Sequence, residues 1–220
     1  MTPSPPAGEP ARPGPAREPD PAASGKIADM AAGKVDGRTA RSERTRGAIV
    51  DAHLELIREG DLRPTADRIA KQAGVSLRAL WSHFADMEAL FTASGRRVLE
   101  LRAANHRPVP PGLPLAERIR AYSVQQANLL EDIGPTAKAA ALKEPFSDVL
   151  RHYRRLHVAA TRDELATLFA GELDGDEERL NALIAVSMWP TWSTWRETMA
   201  LSPEAARSAL ARTITALLAG

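Results

Sequence analysis

The 220-residue chain is 44% hydrophobic and 26% charged, with 29 basic against 28 acidic residues and no cysteine. That length and apolar fraction fit one globular domain, or a small domain joined to a larger one, and exclude a wholly disordered chain. The missing cysteine excludes disulfide scaffolds, thiol nucleophiles and thiolate metal sites, while a net charge of +1 means that any polyanionic partner must be met by a local patch.

Eight of the 17 prolines lie at or before Pro21, and residues 1–40 mix Pro, Ala, Gly and both charges with almost no large apolar side chain. Such a segment cannot bury enough surface to offset its ordering entropy, so a disordered tail is expected over 1–40. The N-terminus lacks a signal-peptide layout, and no stretch reaches the roughly 18–20 apolar residues that span a bilayer. The expectation is a soluble protein, with the cytoplasm as its default location.

From Arg41 the pattern turns helical. Ile49, Val50, Ala52, Leu54, Leu56 and Ile57 form one stripe at 3.6 spacing, closed by Gly60. Thr65 can cap a short helix that stops at Gly74, a glycine of the C′ type, and Ser76 can cap the next. A longer helix is predicted from about Asp86 to Asn105, followed by the proline-rich loop HRPVPPGLP. Beyond it, helices are predicted near 114–133, 135–143, 146–170, 176–199 and 203–218. No alternating β-branched run and no hairpin dipeptide appears. The fold class is all-α with about nine helices: a three-helix domain over 41–88, then a larger helical domain over 89–220.

Thr65 to Phe84 reads TADRIAKQAGVSLRALWSHF, two short helices joined by a glycine-containing turn, as a DNA-binding helix-turn-helix requires. Ile69, Ala70, Ala73, Leu80 and Phe84 are expected to face inward. Leu77, Arg78, Trp81 and Ser82 are expected to point out. Arg63, Arg68, Lys71 and Arg78 stand against Asp67, so this stretch is basic although the chain is near neutral. With Asp51-Ala52, Leu54-Glu55-Leu56, His83-Phe84 and Glu88-Ala89-Leu90, the segment resembles the TetR family of bacterial transcriptional regulators. Three positions depart from that family's pattern. Trp81 stands where a tyrosine is usual, Met87 where a lysine often meets the DNA backbone, and His53 where alanine is usual. His53 is read as a core residue.

The resemblance implies a recognition helix lying in the major groove. Arg78 is then the residue most able to read a base, because its fork matches the N7 and O6 acceptors of guanine. Its other reading is a solvated or phosphate-facing arginine. Thr65, Ser76, Trp81 and His83 are candidate phosphate contacts, with capping and packing as the plainer alternative; Leu77 shares their face. Arg41, Arg44 and Arg46 are candidates for the backbone or an adjacent minor groove, or simply a solvated basic start.

One recognition helix reads few base pairs, so the resemblance also implies a homodimer on palindromic double-stranded DNA. The last two helices are the expected interface, through residues such as Trp192, Trp195, Leu210 and Ile214, unless these only close the monomer core. An unknown small-molecule effector would need a pocket in the larger domain. Tyr122, Gln126, Tyr153, His157 and Trp192 are its candidate lining, each equally readable as structural. Pro190 suggests a kink. No catalytic, metal or cofactor motif is present: His152 and His157 lie about 140° apart around a helix and do not converge. The implied function is a ligand-responsive repressor; a helical enzyme or a protein-interaction module without DNA binding is the competing reading.

Overall fold

A computed structural model describes residues 21–219, with side chains from residue 37 onward. Residues 1–20, and with them half of the expected disordered tail, lie outside the described residues. The described residues from 44 onward form one compact unit, and those before them belong to another. Among the described residues there are ten α-helices and no strand.

Helix α1 covers Pro21–Arg58, so residues 21–40 are helical where a disordered tail is expected. The segment holds Ala22, Ala23, Ala28, Ala31 and Ala32, and alanine is the strongest helix former even where no apolar face exists. Helices α2 (Ala66–Gln72), α3 (Leu77–His83) and α4 (Met87–Asn105) follow. Ile49, Leu54, Ile69, Leu80, Phe84 and Leu90 are at most 1% exposed and form the core of this N-terminal part.

Helix α5 runs unbroken over Leu115–Lys143, with Pro135 inside it. Two helices are expected there, because proline removes a hydrogen bond and crowds the carbonyl four residues back. Packing overrides the local preference: Leu130, Gly134 and Ala139 are buried on either side of the proline. A 3-10 turn, Glu144–Phe146, leads into α6 (Asp148–Leu168). All the buried residues of α6 (Thr161, Leu165 and Leu168) lie in its second half. The four-residue α7 (Ala170–Leu173) precedes α8 (Glu177–Val186).

The expected helix over 176–199 is broken rather than kinked. Helix α8 ends at Ser187, Met188 is extended at φ −96° and ψ 159°, and α9 (Trp189–Ser193) starts afresh before a π turn, Thr194–Thr198. Proline is least costly in a helix's first turn, and Pro190 sits in the first turn of α9. Helix α10 (Pro203–Ala219) closes the chain. Leu210 and Ile214, expected at a dimer interface, are 0% exposed in the monomer. They pack with Ile119, Tyr122, Leu165 and Leu183 in the core of the larger part. Among the described residues no helix is long and apolar enough to cross a membrane.

Candidate nucleic-acid interface

The loop before α2 turns at Gly60, whose φ is +99°. Thr65 is extended, and its hydroxyl accepts from the Arg68 amide at 3.4 Å, capping α2. Helix α2 ends in a Schellman motif: the Val75 amide donates to the Ala70 carbonyl at 3.0 Å and the Gly74 amide to that of Lys71 at 3.2 Å. Gly74 takes φ +68°, the left-handed region where a Cβ is costly. Ser76 then caps α3, accepting from the Ala79 amide at 3.1 Å. Four local signals between Gly60 and Ser76 thus set the course of the two helices before any long-range contact is considered.

The register of α3 follows from its core contacts. Leu80 and Phe84 are 0% and 1% exposed, and the opposite face carries Leu77, Arg78, Trp81 and Ser82, all exposed. That is the face expected from the sequence. Leu77 and Trp81 are 38% and 40% exposed, an apolar pair beside the charged Arg78 on a surface that the protein's own core does not use. Thr65 and Ser76 are exposed beside it, with their hydroxyls already serving as caps. Arg68 pairs with Asp61 at 2.7 Å, so part of the local positive charge is compensated.

Arg46 stands elsewhere than expected. Its Nη1 donates to the His83 carbonyl at 2.5 Å and its guanidinium lies 4.2 Å from the Phe84 ring centroid. A cation over an aromatic face and against a helix C-terminus is doubly favoured, so Arg46 braces α1 on the end of α3 rather than reaching outward. His83 is half-buried in the same contact, whereas Arg44 is exposed.

A cavity of about 610 Å³ lies between α1, α4, α5 and α6, beside the α8–α9 break. Gln126, Tyr153 and His157 line it as expected. Tyr122 and Trp192 do not. Tyr122 is fully buried, edge-on to Phe169 at 6.2 Å, and Trp192 spends its indole N–H on Glu131 at 2.7 Å. Among the lining residues that were not expected are three polar ones, His53, Arg102 and Ser187. The Nδ1 of His53 bonds the Ser94 hydroxyl at 2.8 Å, and burial pulls its pKa down to about 4. It is buried, as read from the sequence, but its ring also forms part of the cavity wall. His157 is likewise pulled to about 4, by burial first and then by Arg102 and Arg154. Both rings are neutral at pH 7.

Residues 49–93 match the family described as bacterial regulatory proteins, tetR family. This segment is a TetR-family regulatory domain. Members of that family are transcriptional regulators rather than enzymes, and the match covers the helix-turn-helix and the start of α4. No curated protein matches the sequence. Two solved structures share the fold beyond the TetR segment. A transcriptional regulator from Rhodococcus sp. Rha1 is 22% identical, with a TM-score of 0.64 over 81% of this chain and 96% of that one. The multidrug binding protein EbrR, complexed with imidazole, is 21% identical, with a TM-score of 0.50 over 77% of this chain and 94% of that one.

Proposed function

We propose that the protein is a dimeric repressor that reads a palindromic operator through α3 and leaves it when a small molecule fills the cavity between α1, α4, α5 and α6. The observation that carries this reading is the exposed face of α3. Leu77, Arg78, Trp81 and Ser82 stand together on a helix whose other face is fixed in the core. Arg78 supplies the fork that matches guanine, two residues after the cap where the helix end meets base edges. Thr65, Ser76 and Trp81 flank it as phosphate contacts, with Arg44 beyond; His83 and Arg46 act indirectly, by holding the end of α3.

The ligand-responsive part rests on α4. This helix starts in the TetR-type segment and then lines the cavity through Phe91, Ser94, Val98 and Arg102. A ligand that binds one position of α4 better than another shifts the DNA-binding equilibrium by that difference in affinity. The multidrug binding protein of the same fold supports such a pocket here. With Leu210 and Ile214 inside the monomer core, the dimer contact falls to the outer faces of α8 and α10. Such a protein acts in the cytoplasm, where its operator is.

The test is selection of bound sites from random duplexes with the full chain, at fixed salt. Recovery of a palindrome is the expected result. Salt-sensitive binding with no recovered sequence would refute an operator-specific role.

A further inference from the structure

The cavity wall includes a mostly buried cation that no carboxylate hydrogen-bonds directly. Arg102 comes from α4 with its side chain only 11% exposed. Its Nη2 donates to the Thr161 hydroxyl at 3.2 Å, and its Nη1 lies 3.3 Å from Nδ1 of His157. The nearest carboxylate oxygen, Oε2 of Glu164, is 3.7 Å away, beyond hydrogen-bond reach. Glu164 accepts from Gln125 at 2.9 Å, so its ion pair with Arg102 is a loose one. A mostly buried guanidinium whose ion pair is loose is incompletely compensated, and a ligand anion in direct contact would add to that compensation.

A second group points the same way. Ser187 is fully buried, lines the cavity, and its Oγ has no hydrogen-bond partner. The Tyr122 hydroxyl, buried beside it, is its polar neighbour. Gln126 donates to the Ser187 carbonyl at 2.5 Å, which fixes the turn that presents this hydroxyl.

The two lining carboxylates are committed elsewhere. Glu88 accepts from the Ser147 hydroxyl at 2.7 Å, and Glu144 pairs with Arg154. Glu88 keeps its charge under that neutral hydroxyl, but Arg63, Arg102, Lys143 and Arg154 outnumber the two carboxylates in the lining, which favours an anionic over a cationic ligand. The rest of the wall is mostly apolar, including Leu54, Ile57, Phe91, Leu129, Ile133 and Leu150. Phe146, 86% exposed, adds an apolar ring to the lining.

We infer that the effector is a largely apolar carboxylic acid, its carboxylate held by Arg102 at the Thr161–Ser187 end and its hydrocarbon part lying along the apolar wall. This rests on the reading of the cavity as the effector site. The volume is of the size that takes one drug-sized molecule.

Three probes of equal chain length separate the alternatives: dodecanoate, its methyl ester, and dodecyltrimethylammonium, each below its micelle concentration. Binding to the full chain is followed by calorimetry and by tryptophan fluorescence, since Trp189 lines the cavity. The acid should bind at least about tenfold more tightly than the ester, the size of one charge-assisted contact. The cation should bind most weakly. Arg102→Gln should abolish the preference for acid while leaving the ester within about twofold. Arg102→Lys should keep the preference in part, because the charge remains. The comparison of acid with ester on the unaltered protein does not depend on the variants folding. Equal binding of acid and ester, tighter binding of the cation, or no binding of any probe overturns the assignment. Release from the selected duplex is measured separately. If the ester or the cation releases DNA and the acid does not, the effector reading stands and the acid class falls. If the acid binds through Arg102 but leaves DNA binding unchanged, the acid class stands and the effector reading falls.

Discussion

Replacing Gly95 with alanine sets two effects of opposite sign against each other. Gly95 lies inside α4, where alanine is worth about 1 kcal/mol more than glycine by helix propensity. A Cβ at this position would lie 2.5 Å from Cδ2 of Tyr153 and 2.7 Å from two further ring atoms. The ring cannot swing aside freely, because its hydroxyl donates to the Thr92 carbonyl at 2.7 Å. Overpacking of this kind costs about 1–3 kcal/mol, and breaking the hydroxyl bond adds about 1 kcal/mol. The steric cost wins, and Gly95→Ala should destabilise by about 2 kcal/mol, a loss of roughly 4–8 °C in Tm for a chain of this size. The sign should reverse when the obstacle is removed: in a Tyr153→Ala background the same change should stabilise by up to about 1 kcal/mol. Urea denaturation of the four proteins, followed by circular dichroism, closes the cycle. A rise in Tm for Gly95→Ala alone would show that α4 and α6 are not held in contact by Tyr153, and the reasoning would fail.

Arg78→Ala should weaken binding to the selected palindrome by about 1–3 kcal/mol and relax preference at one base pair, with Arg78→Lys a poor rescue; equal loss on unrelated DNA would make Arg78 a phosphate clamp. The double change Leu210→Glu with Ile214→Glu should unfold the protein rather than yield a folded monomer, because both sites are fully buried; a folded monomer by sedimentation and circular dichroism would contradict their burial. His53 binds its proton less readily when folded, at about pH 4, than the ordinary value of 6.5. The unfolded chain therefore takes up more protons between those values, and stability should fall as pH drops from 6.5 towards 4. By about pH 5 the loss from this residue should reach about 2 kcal/mol. His53→Gln should make the profile of urea midpoint against pH shallower, leaving the part due to His157, and an unchanged profile would show that His53 does not contribute.

What could be read from the sequence was set by short-range chemistry. Thr65, Gly74 and Ser76 each act within four residues of their own position, so the two helices, their turn and the outward face of α3 were all legible. What was missed depends on distant packing. Nothing local says that α5 continues through Pro135; buried contacts on both sides decide it. Leu210 and Ile214 show only that one face of α10 is apolar, and the monomer core proves to cover that face. Arg46 is spaced like a solvated arginine, but its partners lie 37 and 38 residues away, at His83 and Phe84. The cavity is harder still, because a void belongs to no residue. Arg102 looks like one more surface charge on α4, and Ser187 like an ordinary serine near a helix end. Their place in the cavity wall appears only when the helices are assembled around them.

Helix α6 is fastened unevenly. At its C-terminal end the Leu168 carbonyl accepts from Arg118, which also pairs with Glu172, and Leu165 and Leu168 are in the core. Its first half has no buried residue of its own beyond the capping Ser147. Local opening follows the density of buried contacts, so amides near 150–157 should exchange with solvent well before those near 161–168. The loose half is the one that carries Tyr153 against Thr92 and Gly95, and Ser147 against Glu88. A helix clamped at one end and compliant at the other behaves as a cantilever, and its free end is the part resting on α4.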